Sequence, residues 1–247
     1  MIFWKREANQ PKKIEVFCRH AFFSSVSQHK KRISGFSHEQ CYRNLLETFD
    51  FDRGNLTCFF DAAKGPLSKH FLKNEKNVIQ IQEGTEAGSF LRLLDHVSHL
   101  DLHPETILYF VEDDYLHRPG WLDVLLEGMQ IAEYATLYDH KDKYFLYPNL
   151  TSRIFASSIC HWRTTPSTTN TFAFRFKTLL RDLSIHRRFS SDRAITSDHE
   201  KFCQLQTQGT MLISSMPGWS THAEPEFASP CIGWEQYLTR SPSHVSR

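Results

Sequence analysis

The sequence has little of what marks a membrane protein or a secreted one. No apolar run approaches the ~20 residues that a membrane-spanning helix needs, and the apolar segment at the N-terminus is too short for a signal peptide. The six cysteines form no CxxC pair and follow no regular spacing, which argues against a zinc ribbon and a disulfide framework. We therefore expect a cytoplasmic protein with reduced cysteines and no transmembrane segment.

An excess of charge of one sign is also missing. The 29 Lys and Arg residues nearly balance the 28 Asp and Glu residues, so the net charge is +1. This balance argues against a nucleic-acid partner that is bound by neutralising phosphates. The chain carries no GKS or GKT sequence of a Walker-type phosphate loop. At 247 residues it is long enough for one large α/β domain, and we expect a single domain over residues 1–247.

A run of apolar residues that ends in three carboxylates lies near the middle of the chain. Residues 107–111 read ILYFV, a β-branched and aromatic run that predicts a central strand buried on both faces. Glu112, Asp113 and Asp114 follow at the carboxyl end of this strand. Open α/β sheets bind their ligands at that edge.

Three adjacent carboxylates repel one another unless a positive charge lies among them. A divalent cation that carries a phosphate substrate would supply this charge, and hard oxygen ligands suit Mg²⁺ or Mn²⁺. An acidic turn that faces water has the same composition. The preceding strand and the following Pro119 and Gly120 favour the metal site.

The segment from residue 107 to 123 resembles the DXD motif of the GT-A glycosyltransferases, in an EDD form. The resemblance implies an α/β, Rossmann-like fold with a mixed, mostly parallel sheet flanked by helices. It also implies that the motif grips a metal bound to the diphosphate of a nucleotide sugar, with Asp114 as the direct ligand. Glu112 and Asp113 would orient the metal's water molecules and the ribose. Residues 13–118 would form the nucleotide-binding half and residues 119–240 the acceptor-binding half.

Two earlier strands end on polar residues that the resemblance places beside the nucleoside. Residues 13–23 predict the first strand, and Arg19 and His20 near its end would contact the base or a phosphate. A surface charge pair at a strand end explains these two residues equally well. Residues 55–62 predict the second strand, and its Asp61 would bind the uracil or the ribose. Asp61 could instead cap a helix that begins after it.

Small residues open the helix that follows a third predicted strand at residues 77–82. Gly84 and Gly88 allow a nucleoside to approach the backbone closely, and a helix N-terminus favours anions. Gly88 is therefore a candidate donor-binding residue. Glycines at strand-to-helix turns are also ordinary.

The second half of the chain supplies candidates for catalysis and for the acceptor. Residues 153–176 are β-rich and dense in Ser and Thr, and the resemblance makes them the acceptor side, with Trp162 as a sugar-stacking or a core residue. Asp198 starts a predicted helix, where inverting members of the family place the catalytic base; a helix N-cap would explain it too. Asp192 and Glu200 are the alternative candidates for the base if Asp198 does not have this role. His222 would complete the metal shell, or it is a surface histidine.

We expect a metal-dependent glycosyltransferase of polysaccharide biosynthesis or a related pathway. It would use Mn²⁺ or Mg²⁺ and transfer a sugar with inversion from a nucleotide-sugar donor, most simply a UDP-sugar, to a hydroxyl of a glycan or glycoconjugate acceptor. One alternative is a nucleotidyltransferase that makes a nucleotide sugar. The loop after the first predicted strand has the basic residues for this, at Lys30, Lys31 and Arg32, but it lacks the glycines. The other alternative is a non-catalytic domain that binds carbohydrate or nucleotide.

Overall fold

Strands of one mixed sheet form the centre of the fold. The computed structural model describes residues 14–24 and 27–238. The other residues of the expected domain lie outside the described part, among them residue 13 of the nucleotide-binding half and residues 239 and 240 of the acceptor-binding half. The sheet has the order β3-β2-β1-β4-β9-β6-β10-β8-β7. Its first four strands are β1 (Ile14–Ala21), β2 (Gly54–Asp61), β3 (Val78–Ile81) and β4 (Ile107–Glu112).

The other five strands of this sheet come from the second half of the chain. They are β6 (Tyr134–Thr136), β7 (Ile154–Ala156), β8 (His161–Thr164), β9 (Phe172–Arg175) and β10 (Leu212–Met216). Strands β8 and β9 run opposite to all the others of the sheet. The predicted mixed, mostly parallel α/β sheet is confirmed.

Five helices cover the two faces of the sheet in the described part of the chain. They are α1 (His38–Thr48), α2 (Glu86–Ser98), α3 (Trp121–Ile131), α4 (Phe176–Arg188) and α5 (Asp198–Thr207), and short 3₁₀ turns lie at Leu67–Lys69, Phe71–Asn74, Lys141–Tyr144 and Trp234–Tyr237. Apolar residues of α1 and α3 pack on one face, and those of α2, α4 and α5 pack on the other. None of these helices is long and apolar enough to cross a bilayer.

Strand β4 is buried on both faces, as its composition predicts. Tyr109 and Val111 belong to the apolar cluster under α1 and α3, while Leu108 and Phe110 belong to the cluster under α2 and α4. Burial of both faces holds the strand rigidly in the sheet, so the three carboxylates that follow it project from a fixed edge.

A second, two-stranded sheet brings the end of the described chain back to this edge. Strand β5 (Tyr115–His117) pairs antiparallel with β11 (Ser220–His222), and His222 lies opposite Tyr115. The backbone N–H of Ala223 also donates to the carbonyl of Asp114. The pairing therefore sets His222 beside the last carboxylate of the EDD run.

Trp162 lies in the core and does not face a sugar site. Its side chain is fully buried and packs on Gly128 in the middle of α3. A Cβ at Gly128 would lie 2.5 Å from the Cη2 atom of Trp162. Only a glycine lets the helix approach the ring this closely, so of the two roles open to Trp162, packing is the one observed.

We expect Gly128→Ala to lower the free energy of unfolding by about 1–3 kcal/mol, because a fully buried ring has no room to move away from the new methyl group. Alanine's higher helix propensity would act in the opposite direction by about 1 kcal/mol. Urea unfolding of the purified variant measures the difference. Gln130→Ala, on the exposed side of the same helix, is the control and should change little. A Gly128→Ala protein as stable as the wild type would contradict the packing account.

Candidate functional site

A cavity of ≈ 320 Å³ lies at the carboxyl ends of β1, β2 and β4. This size lies at the lower end of the range for small-molecule sites. Eight of the residues that the sequence analysis assigned to the metal, the donor or the base line it: Arg19, His20, Asp61, Glu112, Asp113, Asp114, Asp198 and His222. Residues separated by up to 203 positions in the sequence are thus brought to one cavity.

Asp114 and His222 form the most closely paired group of this cavity. Asp114 Oδ2 lies 2.7 Å from His222 Nε2 and accepts a hydrogen bond from Arg32 Nη1 at 2.9 Å. On the other side of the ring, His222 Nδ1 lies 3.1 Å from a carboxylate oxygen of Glu224. Carboxylates commonly orient metal-binding histidines in this way. Glu224 therefore holds the imidazole with Nε2 directed at Asp114.

The charge of Asp114 is secured by its neighbours. Burial by itself would raise the pKa of this carboxyl, but His222 and Arg32 offset the effect and hold the pKa well below its usual range. A carboxylate and an imidazole nitrogen that converge on one point suit Mn²⁺, and Mg²⁺ or Mn²⁺ commonly takes its other ligands from phosphate oxygens and water. In the described residues, no three or more His, Cys, Asp or Glu side chains are grouped to hold a metal. Asp114 and His222 would thus hold a cation only together with a ligand's oxygens.

Asp113 faces two histidines. His38 Nδ1 lies 3.3 Å from Asp113 Oδ1, and the ring of His20 is further away, with Nδ1 at 3.9 Å from Oδ2. Burial lowers the pKa of His20 to about 4, so that this imidazole is neutral near pH 7. Burial would also lower the pKa of His38, but the charge of Asp113 outweighs it and raises the pKa to about 9. Asp113 and His38 therefore form an ion pair at neutral pH.

We expect this pair to contribute stability at neutral pH that is lost in alkaline solution. The pKa of His38 is about 9 in the folded protein and about 6.5 in the unfolded chain. Its contribution is therefore complete below pH ~6.5 and disappears as the pH rises through ~9. The midpoint of thermal unfolding should fall across this window in the wild type and fall less steeply in His38→Gln. His161→Gln, at an exposed position, is the control; parallel curves for wild type and His38→Gln would contradict the assignment.

Arg19 contacts Glu112 and also Glu86, a residue that the sequence did not indicate as part of the site. Arg19 is buried and lies between Glu86, at 2.9 Å, and Glu112, at 3.5 Å. Burial raises the pKa of Glu112 to about 8, against the opposing charge of Arg19. Thr171 Oγ1 donates to Glu112 at 3.4 Å. Arg19 is thus held between two acidic side chains of the cavity wall.

Asp61 connects two loops at the cavity and caps no helix. Its carboxylate accepts hydrogen bonds from the backbone N–H groups of Ala63, Glu83 and Gly84, at 3.0, 3.2 and 2.7 Å. Only 3₁₀ turns follow it before β3, so the helix considered after Asp61 is absent there. Gly84 has a φ of +71°, which suits glycine. Asp61 therefore fixes the shape of this wall, and its role toward a nucleoside stays a prediction.

Gly88 lies in the first turn of α2 and outside the cavity wall. Its backbone N–H donates to Oγ1 of Thr85, the N-cap residue, at 3.0 Å. A Cβ on Gly88 would approach that oxygen to 2.8 Å. The residue's small size therefore serves the start of the helix, whereas its neighbours Gly84 and Ser89 line the cavity.

Asp198 directs its carboxylate at a side chain and not at the helix backbone. The N-cap of α5 is Ser197, and Asp198 is the first residue of the helix, so the N-cap interpretation of Asp198 is wrong. Its Oδ1 accepts a hydrogen bond from Lys201 Nζ at 3.0 Å, and its side chain is 26 % exposed toward the cavity. Burial raises the pKa of Asp198 above its ordinary value, against the charge of Lys201. The two alternative candidates, Asp192 and Glu200, are exposed and do not line the cavity.

No protein-family model and no curated protein matches the chain by sequence. Solved structures do match it. GalNAc-T7 with UDP, GalNAc and Mn²⁺ has a TM-score of 0.58 at 8 % identity, over 95 % of this chain and 46 % of that one. The 4-diphosphocytidyl-2C-methyl-D-erythritol synthase of Anaerococcus prevotii has 0.50 at 9 %, over 92 % and 94 %. A CMP:2-keto-3-deoxy-manno-octonic acid synthetase complexed with CTP has 0.50 at 14 %, over 84 % and 92 %.

These matches establish the fold. At such low identities the shared feature is a Rossmann-like α/β architecture that occurs both in GT-A glycosyltransferases and in nucleotidyltransferases. The chain spans about half the length of the GalNAc-T7 chain. The ligands and reactions of these proteins are therefore not established properties of this chain.

Several residues of the site have no clear signal in the sequence. They are Glu86, Lys201, His38 and Glu224. Each of them contacts a predicted site residue: Glu86 contacts Arg19, Lys201 contacts Asp198, His38 contacts Asp113 and Glu224 contacts His222. The basic run at Lys30, Lys31 and Arg32 did carry a signal. Lys30 pairs with Glu224 at 2.5 Å and Arg32 with Asp114 at 2.9 Å, whereas Lys31 is exposed.

Proposed function

We propose that this cavity is the donor site of a metal-dependent, inverting glycosyltransferase. The enzyme would transfer a sugar from a nucleotide diphosphate, with UDP favoured, to a hydroxyl of a glycan or glycoconjugate. The observation that carries the proposal is the convergence, in one cavity, of the Asp114 and His222 pair with the carboxylate of Asp198. The first two suit a cation bound to a diphosphate, and the third suits a base on the acceptor side.

The residues have distinct tasks in this reaction. Asp114 and His222 would hold Mn²⁺ or Mg²⁺ together with diphosphate oxygens; bound there, the metal acts as a Lewis acid that stabilises the charge of the departing nucleotide. Arg32 and Lys30 bring further positive charge to the same end of the cavity. Glu112 and Asp113 complete the acidic wall beside them, where orientation of metal-bound water and ribose remains their proposed role.

Asp198 is the proposed base for the acceptor. Its carboxylate takes the proton of the attacking hydroxyl while the hydroxyl oxygen forms a bond to the anomeric carbon. The bond from that carbon to the diphosphate oxygen breaks on the opposite face, and its electron pair leaves with the nucleotide. The configuration at the anomeric carbon is therefore inverted.

A nucleotidyltransferase is the second candidate function. Two of the structural matches are synthases whose names contain a cytidine nucleotide. The loop after β1 also brings Lys30 to the cavity and Arg32 to Asp114 in the cavity wall, and these two cations could hold a triphosphate. The glycines that such a loop needs for close contact with phosphates are missing from residues 22–32. The glycosyltransferase is therefore the better supported of the two.

A single assay set separates these functions. The purified protein is incubated with UDP-glucose, UDP-galactose, UDP-GlcNAc or UDP-GalNAc and Mn²⁺, with and without added glycans, and the UDP released as the sugar passes to water or to a glycan is measured. In parallel it receives CTP or UTP with sugar phosphates and keto sugars, and pyrophosphate is measured. We expect UDP release without pyrophosphate. Pyrophosphate formation would identify a nucleotidyltransferase, and neither product would favour a non-catalytic binding domain.

A further inference from the structure

A lysine with no exposed surface lies directly beneath Asp198. Lys201 is 0 % exposed, and its Nζ lies 4.7, 5.3 and 5.2 Å from the ring centroids of Phe90, Phe172 and Phe202. Taking an ammonium group out of water is costly unless anionic and hydrogen-bonding partners compensate it. The residue does not line the cavity, so it has no direct access to a substrate bound there.

The partners of Lys201 connect it to the cavity wall. Nζ donates to Asp198 Oδ1 at 3.0 Å and to Asn170 Oδ1 at 2.5 Å. Asn170, itself fully buried, donates to Glu86 at 2.8 Å. Glu86 in turn pairs with Arg19 and accepts the backbone N–H of Thr196, two residues before Asp198. Asp198 is therefore fixed both through its carboxylate and through the backbone that leads to it.

Packing alone does not require a charge at this position. Replacing a buried ion pair by apolar groups of similar volume is often neutral for stability, so a cage of three phenylalanines would accept a methionine. Only a cation can be an electrostatic partner for a carboxylate that is partly withdrawn from water. Such a partner favours the ionised form of the carboxylate and fixes its orientation.

We propose that Lys201 is a positioning residue for the base, which holds the carboxylate of Asp198 toward the cavity and keeps it ionised near neutral pH. The proposal rests on the function proposed above. Other titratable groups around Asp198 are Glu86 on α2, Arg19 on β1 and Glu112 on β4, and His186 on α4 faces Lys201. The charge of Glu86 raises the pKa of Asp198 and the charge of Arg19 lowers it, so these two effects oppose each other. Lys201 is the cation in direct contact with Asp198.

The test is the pH dependence of turnover in Lys201→Met, read as UDP released from the donor. Without the ammonium group the pKa of Asp198 rises. The acidic limb of the pH profile of kcat should therefore move to higher pH by roughly 1–3 units, as expected for loss of an adjacent opposite charge. Affinity for UDP should stay within about 2-fold of the wild type, because Lys201 does not line the cavity. Lys201→Arg restores the charge and should return the limb toward its original position. A Lys201→Met protein that binds UDP normally and keeps the wild-type limb would overturn the proposal.

A second measurement does not depend on turnover, and its first step uses no lysine variant. Asp198→Asn leaves the ammonium group of Lys201 buried without its anion, so the midpoint of thermal unfolding near pH 7 should fall by about 5–10 °C. The double variant Asp198→Asn with Lys201→Met should recover part of that loss. An unchanged midpoint in Asp198→Asn would overturn the pairing. A wild-type protein that releases no UDP from any donor would instead contradict the proposed function, while this measurement still decides on the pair.

Discussion

Asp198→Asn is expected to reduce the rate of sugar transfer by at least about 100-fold, because general-base catalysis commonly contributes 10²–10⁴-fold. The amide keeps the shape of the side chain but cannot accept the acceptor's proton. Affinity for the donor nucleotide should change little, since the carboxylate is assigned to the acceptor and not to the diphosphate. Initial rates of UDP release, measured with saturating donor, and calorimetric affinity for UDP provide the two readouts.

The controls for this variant are carboxylates of the same region. Asp192→Asn and Glu200→Gln remove a negative charge near the start of α5, but both side chains are exposed and lie outside the cavity wall. Each should retain a rate within a few-fold of the wild type. Loss of activity in either control, with Asp198→Asn active, would move the base to another residue and remove the argument for inversion.

Asp114→Asn is expected to abolish the effect of manganese on nucleotide affinity and to lower turnover by more than about 100-fold. The substitution removes the anionic oxygen that faces His222 and Arg32, and a neutral amide is a poor ligand for a hard divalent cation. Turnover measured over a range of Mn²⁺ concentrations gives both effects. The loss should exceed that of substitutions at residues that only orient ligands, which typically cost 10–100-fold.

Asp123→Asn is the matched control for Asp114→Asn. Asp123 pairs with Arg53 on the surface at 2.6 Å, so the same chemical change is made in an exposed ion pair. Exposed pairs contribute little to stability, and we expect no change in manganese dependence. If Asp114→Asn turned over donor with the wild-type response to manganese, the metal would have to bind elsewhere or be dispensable.

The sequence predicts the site best where the signal is local. The apolar run of β4 and the carboxylates after it follow one another in the chain, so the burial of Val111 and the position of Asp114 at the sheet edge could both be inferred. The start of α5 at Asp198 could be inferred for the same reason. Local hydrophobic patterns and helix starts are visible without knowledge of the fold.

The parts that the sequence does not predict depend on distant pairing. His222 was predicted beside Asp114 only through the family resemblance, because the pairing of β11 with β5 that brings it there joins residues about one hundred positions apart and no short pattern encodes it. Glu86, at the start of α2, is unremarkable in the sequence because its partner Arg19 lies far away in the chain, on β1. Lysine side chains normally face solvent, and the burial of Lys201 follows from how α5 packs against Phe90 and Phe172. The helix α4 was not assigned from the sequence at all.

Gly88 shows how a correct local pattern can give a wrong position. Small residues do open α2, as predicted, but which of them faces the cavity depends on the direction of the helix relative to β1 and β2. The structure places Gly84 and Ser89 there and sets Gly88 against the N-cap residue Thr85. Spacing alone cannot distinguish these positions, because all lie within one helical turn of the same loop.

Calorimetric titration of the wild-type protein with UDP, with and without Mn²⁺, tests the central claim most directly. GDP under the same conditions provides the comparison for the base, and CMP, which also lacks the second phosphate, provides it for the base and the diphosphate together. We predict that UDP binds, that Mn²⁺ strengthens its binding by at least about 10-fold, and that GDP and CMP bind more weakly. No binding of any of the three nucleotides under either condition would contradict the donor site and would leave the EDD run as an acidic turn that pairs with Arg19, Arg32 and His38.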